Sequence, residues 1–324
     1  MNDDSGGIAV LDLEPAPSDF LAEAIAGLSS SPPTLPSKFF YDERGADLFL
    51  EICELPEYYV TRTETGILKQ HAAEMAASIG ANAELVGLGT GAGIKTRMLL
   101  QHLENPIAYV PVDISKQRLI ESAQELRRLM PTVEILPVCA DYVQRFELPQ
   151  PSRKPDHIAV YFPGSTIGNL EPQGAKDFLE QICRVCGRSG GLLIGVDLQK
   201  SREVLDAAYN DSAGVTAQFN LNILVRANRE LGANFNLACW QHRAIYNDRE
   251  HRIEMHLISE RDQVVQLGAR TFAFAAGDKI ITEFSYKHTI DGFTAMAVSA
   301  GFKLSRYWTD PRQMFAVFHF TVAA

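Results

Sequence analysis

The sequence predicts an α/β protein built on a doubly wound parallel sheet, and three observations carry that prediction. Between residues 84 and 198, short apolar runs alternate with amphipathic helical segments at the spacing of strand–helix–strand units. A glycine-rich turn, Gly87-Leu88-Gly89-Thr90-Gly91-Ala92-Gly93, joins the first run to the first helix. Two later runs end in or lead to Asp113 and Asp141, at the strand ends where such sheets receive ligands.

In chain order, residues 84–88 read as a buried strand and 94–102 as the helix after the glycine turn. Residues 108–113 form the second strand, and 115–129 a helix with Leu119, Ile120, Ala123 and Leu126 at helical spacing. Residues 133–138 are expected as a third strand, leading to Cys139-Ala140-Asp141-Tyr142. Residues 157–162 form the fourth, then a loop and a helix over 176–185, and residues 191–198 the fifth. Beyond 198 the pattern changes. Helices over 204–209 and 218–231 precede strand-like segments at 244–246, 252–257, 263–267 and 271–274, as expected for a second α+β lobe inserted into the first. Residues 302–308 and 314–322 then return as antiparallel strands closing the first sheet. Upstream, Ser18 and Asp19 cap a short amphipathic helix through Phe20, Leu21, Ile25 and Leu28, with Gly27 and the Ser-Ser-Ser-Pro-Pro segment at 29–33 ending it.

Composition narrows the function. The 30 Lys and Arg against 40 Asp and Glu give a formal charge of −10, which argues against a protein that wraps a phosphate backbone. Residues 1–37 hold six acids and no Lys or Arg, so the remaining chain carries 30 bases against 34 acids. Five cysteines without dense spacing imply no disulfide framework and a reducing compartment. No apolar run reaches the about 18–20 residues of a membrane span, and the acidic start Met1-Asn2-Asp3-Asp4 lacks the basic residues of a secretory signal. The expectation is a cytoplasmic protein with no membrane and no nucleic-acid partner.

The glycines let the chain turn sharply and bring backbone amides close to a ligand, although phosphate sites, nucleoside sites and plain tight turns all use such loops. Asp113, at the end of the second strand, can accept both hydroxyls of a ribose. Asp141 beside Tyr142 offers a carboxylate for an adenine amine and a ring for its face. Singly, each aspartate serves equally well as a strand-end cap. Together, glycines and two acids at successive strand ends suit S-adenosylmethionine better than NAD, whose pyrophosphate would need the helix N-terminus. The loop Phe162-Pro163-Gly164-Ser165-Thr166-Ile167-Gly168-Asn169-Leu170 departs from the Asn/Asp-Pro-Pro-aromatic loop of base-modifying methyltransferases, so a small acceptor is expected.

Several longer stretches carry a resemblance: Lys38-Phe39-Phe40-Tyr41-Asp42, Leu55-Pro56-Glu57-Tyr58-Tyr59-Val60-Thr61-Arg62-Thr63-Glu64, the loop from Gly164 to Leu170, Asp211-Ser212-Ala213-Gly214-Val215-Thr216-Ala217-Gln218-Phe219-Asn220, and Thr282-Glu283-Phe284-Ser285-Tyr286-Lys287. From about residue 37 onward the chain resembles the histidine Nα-methyltransferases of ergothioneine biosynthesis. The resemblance implies a Rossmann-like methyltransferase sheet over 1–60, 78–198 and 288–324, and a substrate-binding lobe over 61–77 and 199–287. It implies transfer of three methyl groups from S-adenosylmethionine to the α-amine of L-histidine, giving hercynine, by a monomeric enzyme without a metal. Tyr58, Glu283 and Ser285 would contact the imidazole; Asn169 and Tyr209 would hold the carboxylate and the region of the amine; Gly164 and Met255 would line the pocket. Tyr41, Gly89, Lys95, Asp113, Asp141 and Tyr142 would bind the donor, with Asn169 and Tyr41 at the reacting groups. One position departs from the pattern: Gly87 stands where the family usually carries an acid, and Glu84 lies three residues earlier. The alternatives are a paralogue acting on another aromatic amino acid or a histidine derivative, and a non-catalytic S-adenosylmethionine sensor.

Other features read as structural. Cys183-Arg184-Val185-Cys186 ends a helix, where the dipole disfavours thiolate. Cys53, Cys139 and Cys239 are expected in the core. His251 and His256, five apart on an expected strand, point to opposite faces and make no metal pair. Lys116, Arg118, Arg127 and Arg128 read as solvated helix sides.

Overall fold

The computed structural model describes residues 8–13, 20–89 and 93–323. Ser18 and Asp19, expected to cap the first helix, and Thr90, Gly91 and Ala92 of the glycine turn lie outside the described residues. One large sheet runs in the order β1 (Leu11–Asp12), β5 (Val138–Cys139), β3 (Ala108–Asp113), β2 (Ala83–Leu88), β6 (His157–Phe162), β7 (Gly191–Asp197), β14 (Phe315–Val322) and β13 (Phe302–Thr309), with β4 (Glu134–Ile135) also on β3. Pairing is parallel from β1 to β7, then antiparallel across β7–β14 and β14–β13. The fold is mixed α/β around a mostly parallel sheet, as the alternation predicts.

Period-two alternation divides that sheet's side chains between two cores. Leu85, Tyr109, Ala159, Tyr161, Leu193, Phe315 and Val317 face one side, against α3 (Tyr59–Ile79) and α4 (Ile94–Leu100). Val86, Val110, Val160, Phe162, Ile194, Phe318 and Phe320 face the other, against α6 (Pro172–Cys186) and α9 (Ile290–Ser299). The helix α5 (Lys116–Leu129) covers β3 through Leu119, Ala123 and Leu126.

The second element group is a three-stranded antiparallel sheet, β12 (Lys279–Tyr286), β9 (Arg252–Ser259) and β8 (Trp240–Asn247), beside the hairpin β10 (Gln263–Leu267) and β11 (Arg270–Phe274). The helices α7 (Arg202–Tyr209) and α8 (Val215–Leu231) lie on β8. Residues 33–35 line up with β12: Ile281 N–H donates to Pro33 O at 2.9 Å and Leu35 N–H to Ile281 O at 2.9 Å.

Four expectations need correction. The third strand, expected over 133–138, is two short pairings broken at Leu136-Pro137; proline brings no N–H to the ladder, and its carbonyl accepts instead from Leu11 N–H of β1 at 3.0 Å. Residues 61–77, expected in the acceptor lobe, are the body of α3 and pack on β7, β13, β14 and α4 of the large sheet. Within the span 1–60, expected with the large sheet, α2 (Glu43–Glu54) lies on α8, because the Asp42 carboxylate that caps it also accepts from Asn222 at 2.7 Å and pairs with Arg229. His251 is not on a strand but in the turn before β9, at φ +51°.

His319 on β14 is 3% exposed, and its Nδ1 has no hydrogen-bond partner among the described residues. Burial, with His157 nearby, pushes its pKa down to about 4. An unfolded imidazole titrates near 6.5, so on acidification the unfolded chain takes the proton first. Stability is therefore full above about pH 6.5 and drains as pH falls through 4, by on the order of 3 kcal/mol for a shift of this size. Urea unfolding between pH 4 and 7 should show this loss, and His319→Leu should flatten the slope; an equal slope in both proteins would exclude His319 as its source.

Candidate active site

The large sheet, α3, α7, α8 and the small sheet enclose one cavity. Its walls include Tyr41, Phe49, Tyr58, Gly164, Asn169, Asp197, Tyr209, Phe219, Met255, Glu283, Ser285 and Lys287. Each group arrives for a local reason. Asp42 accepts from Gly45 N–H at 2.8 Å to start α2, and Tyr41 immediately before it stands at the mouth, 40% exposed. Its hydroxyl end is the enclosed one: burial first, then Glu283 and Tyr142, raise its pKa. Tyr41, Phe49 and Phe219 meet edge-on or tilted at 5.7–6.1 Å, and the Tyr58 and Tyr209 rings meet edge-on at 6.2 Å, forming an aromatic wall. Asp211 accepts from Val215 and Thr216 N–H, both at 2.8 Å, fixing the start of α8. Ser212 donates its hydroxyl to Glu57 at 2.8 Å and ties that turn to the one before Tyr58.

The loop after β6 turns through two left-handed residues, Gly164 at φ +82° and Ser165 at φ +58°. Ser165 is a strained position for a side-chain-bearing residue, held because its Oγ accepts from Asp197 N–H at 2.9 Å. The short 3₁₀ turn Thr166–Asn169 follows and delivers Asn169 to the cavity. Gly168 in that turn has room for no Cβ, since one would stand 2.7 Å from Tyr286 O on β12. Gly164 N–H donates to both oxygens of Glu64, at 3.1 and 3.0 Å, and Glu64 also pairs with Lys95 of α4.

The polar floor is an ion cluster. Asp197, at the end of β7 and fully buried, pairs with Lys200 at 2.6 Å and Lys287 at 2.9 Å and accepts from Tyr59 OH at 2.8 Å. Burial alone would raise its pKa, but Lys287 and Lys200 hold it below the ordinary carboxylate value. Burial lowers Lys200 to about 8 despite Asp197. Lys287 also donates to Ser285 Oγ at 2.7 Å and Tyr209 OH at 3.1 Å.

The opposite pole is Glu283. The β12–β9 register shifts between Ile281 and Glu283, so Thr282 is the extra residue of a β-bulge. Thr282 is pinned: its hydroxyl sits 2.6 Å from Asn220 Oδ1 and 3.1 Å from Met255 O, and Asn220 donates to His256 O at 3.1 Å. The bulge sets Glu283 directly across from Met255, both facing the cavity. Burial pushes the Glu283 carboxyl up to about 7, with Lys287 acting in the opposite direction.

The remaining expected donor residues gather at the carboxyl ends of β2, β3 and β5. Gly89 has φ +55°, and a Cβ there would stand 3.2 Å from the Tyr142 ring. Only bare backbone fits under Tyr142, whose ring leans edge-on against Phe162 at 5.5 Å. Asp113 Oδ1 accepts from Ser115 N–H at 2.9 Å, and Asp141 Oδ1 from Val143 N–H at 3.0 Å. Each aspartate thus spends one oxygen on its turn. Burial raises the Asp113 pKa.

The structure brings Tyr41, Tyr58, Gly164, Asn169, Tyr209, Met255, Glu283 and Ser285 to one cavity. Gly89 and Tyr142 stand together at the strand ends with Asp113 and Asp141, and Lys95 lies between the two groups, within 4.0 Å of a Cβ built on Gly164. Sequence reasoning assigned no role to Glu64, Asp197, Thr282 or Lys287, although three of the four stand inside the motifs quoted above. Glu84 cannot stand in for an acid at Gly87: it is buried at the amino end of β2, away from the ligand side. Cys183 and Cys186 close α6, where burial raises both thiols, Cys186 to about 12. Among the described residues no three His, Cys, Asp or Glu could hold a metal ion, and no helix is long and apolar enough to cross a membrane.

Comparison with known proteins agrees with this geometry. The pattern defining the histidine-specific, S-adenosylmethionine-dependent methyltransferases matches residues 20–322. The chain is 40% identical over 304 residues to histidine N-alpha-methyltransferase of Mycolicibacterium smegmatis, covering 90% of this chain and 93% of that protein. It is 41% identical over 294 residues to histidine N-alpha-methyltransferase of Mycobacterium tuberculosis, covering 89% of this chain and 90% of that one. It is 28% identical over 289 residues to ergothioneine biosynthesis protein 1 of Schizosaccharomyces pombe, 84% of this chain but 37% of the fungal protein. The chain belongs to the family of histidine-specific, S-adenosylmethionine-dependent methyltransferases.

Proposed function

We propose that this enzyme transfers three methyl groups in turn to the α-amine of free L-histidine, giving hercynine for ergothioneine biosynthesis, as a cytoplasmic monomer. The observation that carries the reading is Glu283, a carboxylate that a bulge turns into an aromatic-walled cavity beside Ser285 and across from Met255. A half-buried acid with no fixed basic partner among the described residues asks for a ligand N–H, which imidazole supplies and phenylalanine does not.

The donor residues fit S-adenosylmethionine: bare backbone at Gly89 under the Tyr142 ring, and aspartates at two neighbouring strand ends with a carboxylate oxygen each beyond the one used in the turn. When bound, S-adenosylmethionine supplies an electrophilic methyl group on its sulfonium. Asp113 would hold the ribose, Asp141 and Tyr142 the adenine, and Gly89 and Lys95 the amino-acid end. Asn169 and Tyr209 hold the acceptor carboxylate and orient its amine, with Tyr41 at the mouth between the acceptor and the donor side. Positioning of this kind supplies about 7–11 kcal/mol of a barrier when reactants are well aligned. An α-amine titrates near pH 8, about as in a chain terminus, so solvent or a weak hydrogen-bonding partner suffices to take its proton. The division of labour follows the sheets: the large one bears the donor and the small one, with α7 and α8, the acceptor.

Mass spectrometry of the protein incubated with S-adenosylmethionine and each free amino acid tests the reading. We expect a gain of three methyls on histidine. Faster transfer to tryptophan, tyrosine or histamine would reassign the acceptor, and donor binding without turnover would make the protein a sensor. Glu283→Ala should lower kcat/KM for histidine by roughly a hundredfold, the cost of an unpaired polar contact to a charged group, with donor Kd unchanged. Equal histidine kinetics would remove Glu283 from the imidazole site. Thr282→Val, which unpins the bulge, should cost about tenfold in kcat/KM, the scale of one net hydrogen bond, again without moving donor Kd. A Thr282→Val enzyme with wild-type kinetics would show that the bulge holds without its hydroxyl.

A further inference from the structure

We propose that Lys287 is a positioning residue that, with Tyr209, turns the Ser285 hydroxyl into an obligate hydrogen-bond donor, so that the acceptor cavity admits the neutral imidazole in a single tautomer. The inference rests on the histidine reading above and concerns how that ring is read.

The side chain of Lys287 is 1% exposed, and an ammonium carries three donors and no acceptor. All three have partners: Asp197 Oδ2 at 2.9 Å, Ser285 Oγ at 2.7 Å and Tyr209 OH at 3.1 Å. Lys287 thus has no proton left for a substrate. Its effect passes through the two hydroxyls. Both hydroxyl oxygens accept from Lys287, and Tyr209 OH donates to Ser285 Oγ at 3.0 Å, so both lone pairs of the Ser285 oxygen are filled. That leaves the Ser285 O–H with no partner inside the cluster, on a side chain that lines the cavity. Ser285 can therefore offer the ligand a proton but cannot accept one.

Glu283 supplies the complementary pole. It lies two residues from Ser285 on one strand and so on the same face, ~6.6 Å along the chain. Held ionised by a ligand N–H, its carboxylate only accepts. A ring seated between the two groups must donate to Glu283 and accept from Ser285. Neutral imidazole does both, with its N–H toward Glu283 and its bare nitrogen toward Ser285. A pyrrole ring has the N–H but no bare nitrogen; a thiazole ring has the bare nitrogen but no N–H.

The test compares kcat/KM for histidine with that for alanines bearing a pyrrole or a thiazole ring, in wild type and in Lys287→Met. Wild type should prefer histidine over either analogue by at least about 30-fold, because each analogue strands one buried polar group. In Lys287→Met the Ser285 oxygen regains a free lone pair and can accept, so the preference over the pyrrole analogue should shrink at least tenfold. The preference over the thiazole analogue, set by Glu283, should stay. Lys287→Gln, whose amide still donates, should restore most of the pyrrole discrimination. If Lys287→Met lowers all three substrates equally, the residue is only structural and the proposal falls. Should Lys287→Met fail to fold, Ser285→Ala and Lys287→Gln carry the test: the first must lose pyrrole discrimination and the second must keep it, and any other pattern overturns the proposal. A wild-type enzyme that leaves histidine unmethylated would instead strike the functional reading.

Discussion

The site hangs on the buried charge of Asp197. Its carboxylate sits at the end of β7 and holds groups from three other places: Lys287 just after β12, Lys200 in the turn after β7, and Tyr59 at the start of α3; its backbone N–H holds Ser165 in the loop after β6. A carboxylate taken out of water is costly unless charge and hydrogen bonds replace its hydration, and removing one partner from such a pair costs about 3–5 kcal/mol. The large sheet and the small one therefore cannot separate at this point without exposing an unpaired ion. That constraint fixes the distance across the cavity, which hydrophobic packing alone would leave adjustable.

Two cations on one anion also give the floor of the cavity a surplus positive charge, while Glu283, four residues before Lys287, is pushed toward neutrality by burial. The cavity is thus polar at two poles and aromatic between them. A zwitterionic amino acid with a polar ring matches such a space, and one with an apolar ring leaves Glu283 without a partner. The aromatic wall has a further consequence. On the reading proposed above, each methylation replaces an N–H of the amine, and the third leaves a fixed cation that can no longer donate. Tyr58, Tyr209, Tyr41 and Phe219 line the cavity with aromatic rings, whose faces attract a cation that hydrogen-bond acceptors alone would serve poorly.

Much of this was legible in the sequence, and what was not has physical reasons. The parallel strands and their order of appearance were readable because strands buried on both faces form continuous apolar runs. The bulge at Thr282 was not, since a single inserted residue leaves the strand's composition unchanged and shows only in the register. Patterning assigns no helix to 59–79, although Val60, Ile67, Leu68, Met75 and Ile79 form its buried stripe. Three threonines, a glycine and, above all, Glu64 interrupt that stripe, and Glu64 is a functional-site residue placed where the core should be. Lys287 was hidden for the same reason. A lysine after a strand reads as solvated until the partner that neutralises it, 90 residues earlier in the chain, is known to be adjacent.

The glycine loop lacks the acid expected two positions before Gly89, and Glu84 sits at the amino end of β2. A buried carboxylate near this loop is that of Glu64, on α3. It joins Lys95 of the helix after the glycine loop to Gly164 N–H of the loop that lines the acceptor cavity. A Cβ on Gly195 would stand 2.2 Å from Glu64 Oε1, so β7 must be bare at that position for the carboxylate to fit. One side chain therefore couples the geometry of Lys95 to that of Gly164. Glu64 has no solvent around it, so this bridge is direct and ties both the helix after the glycine loop and the loop lining the cavity to α3.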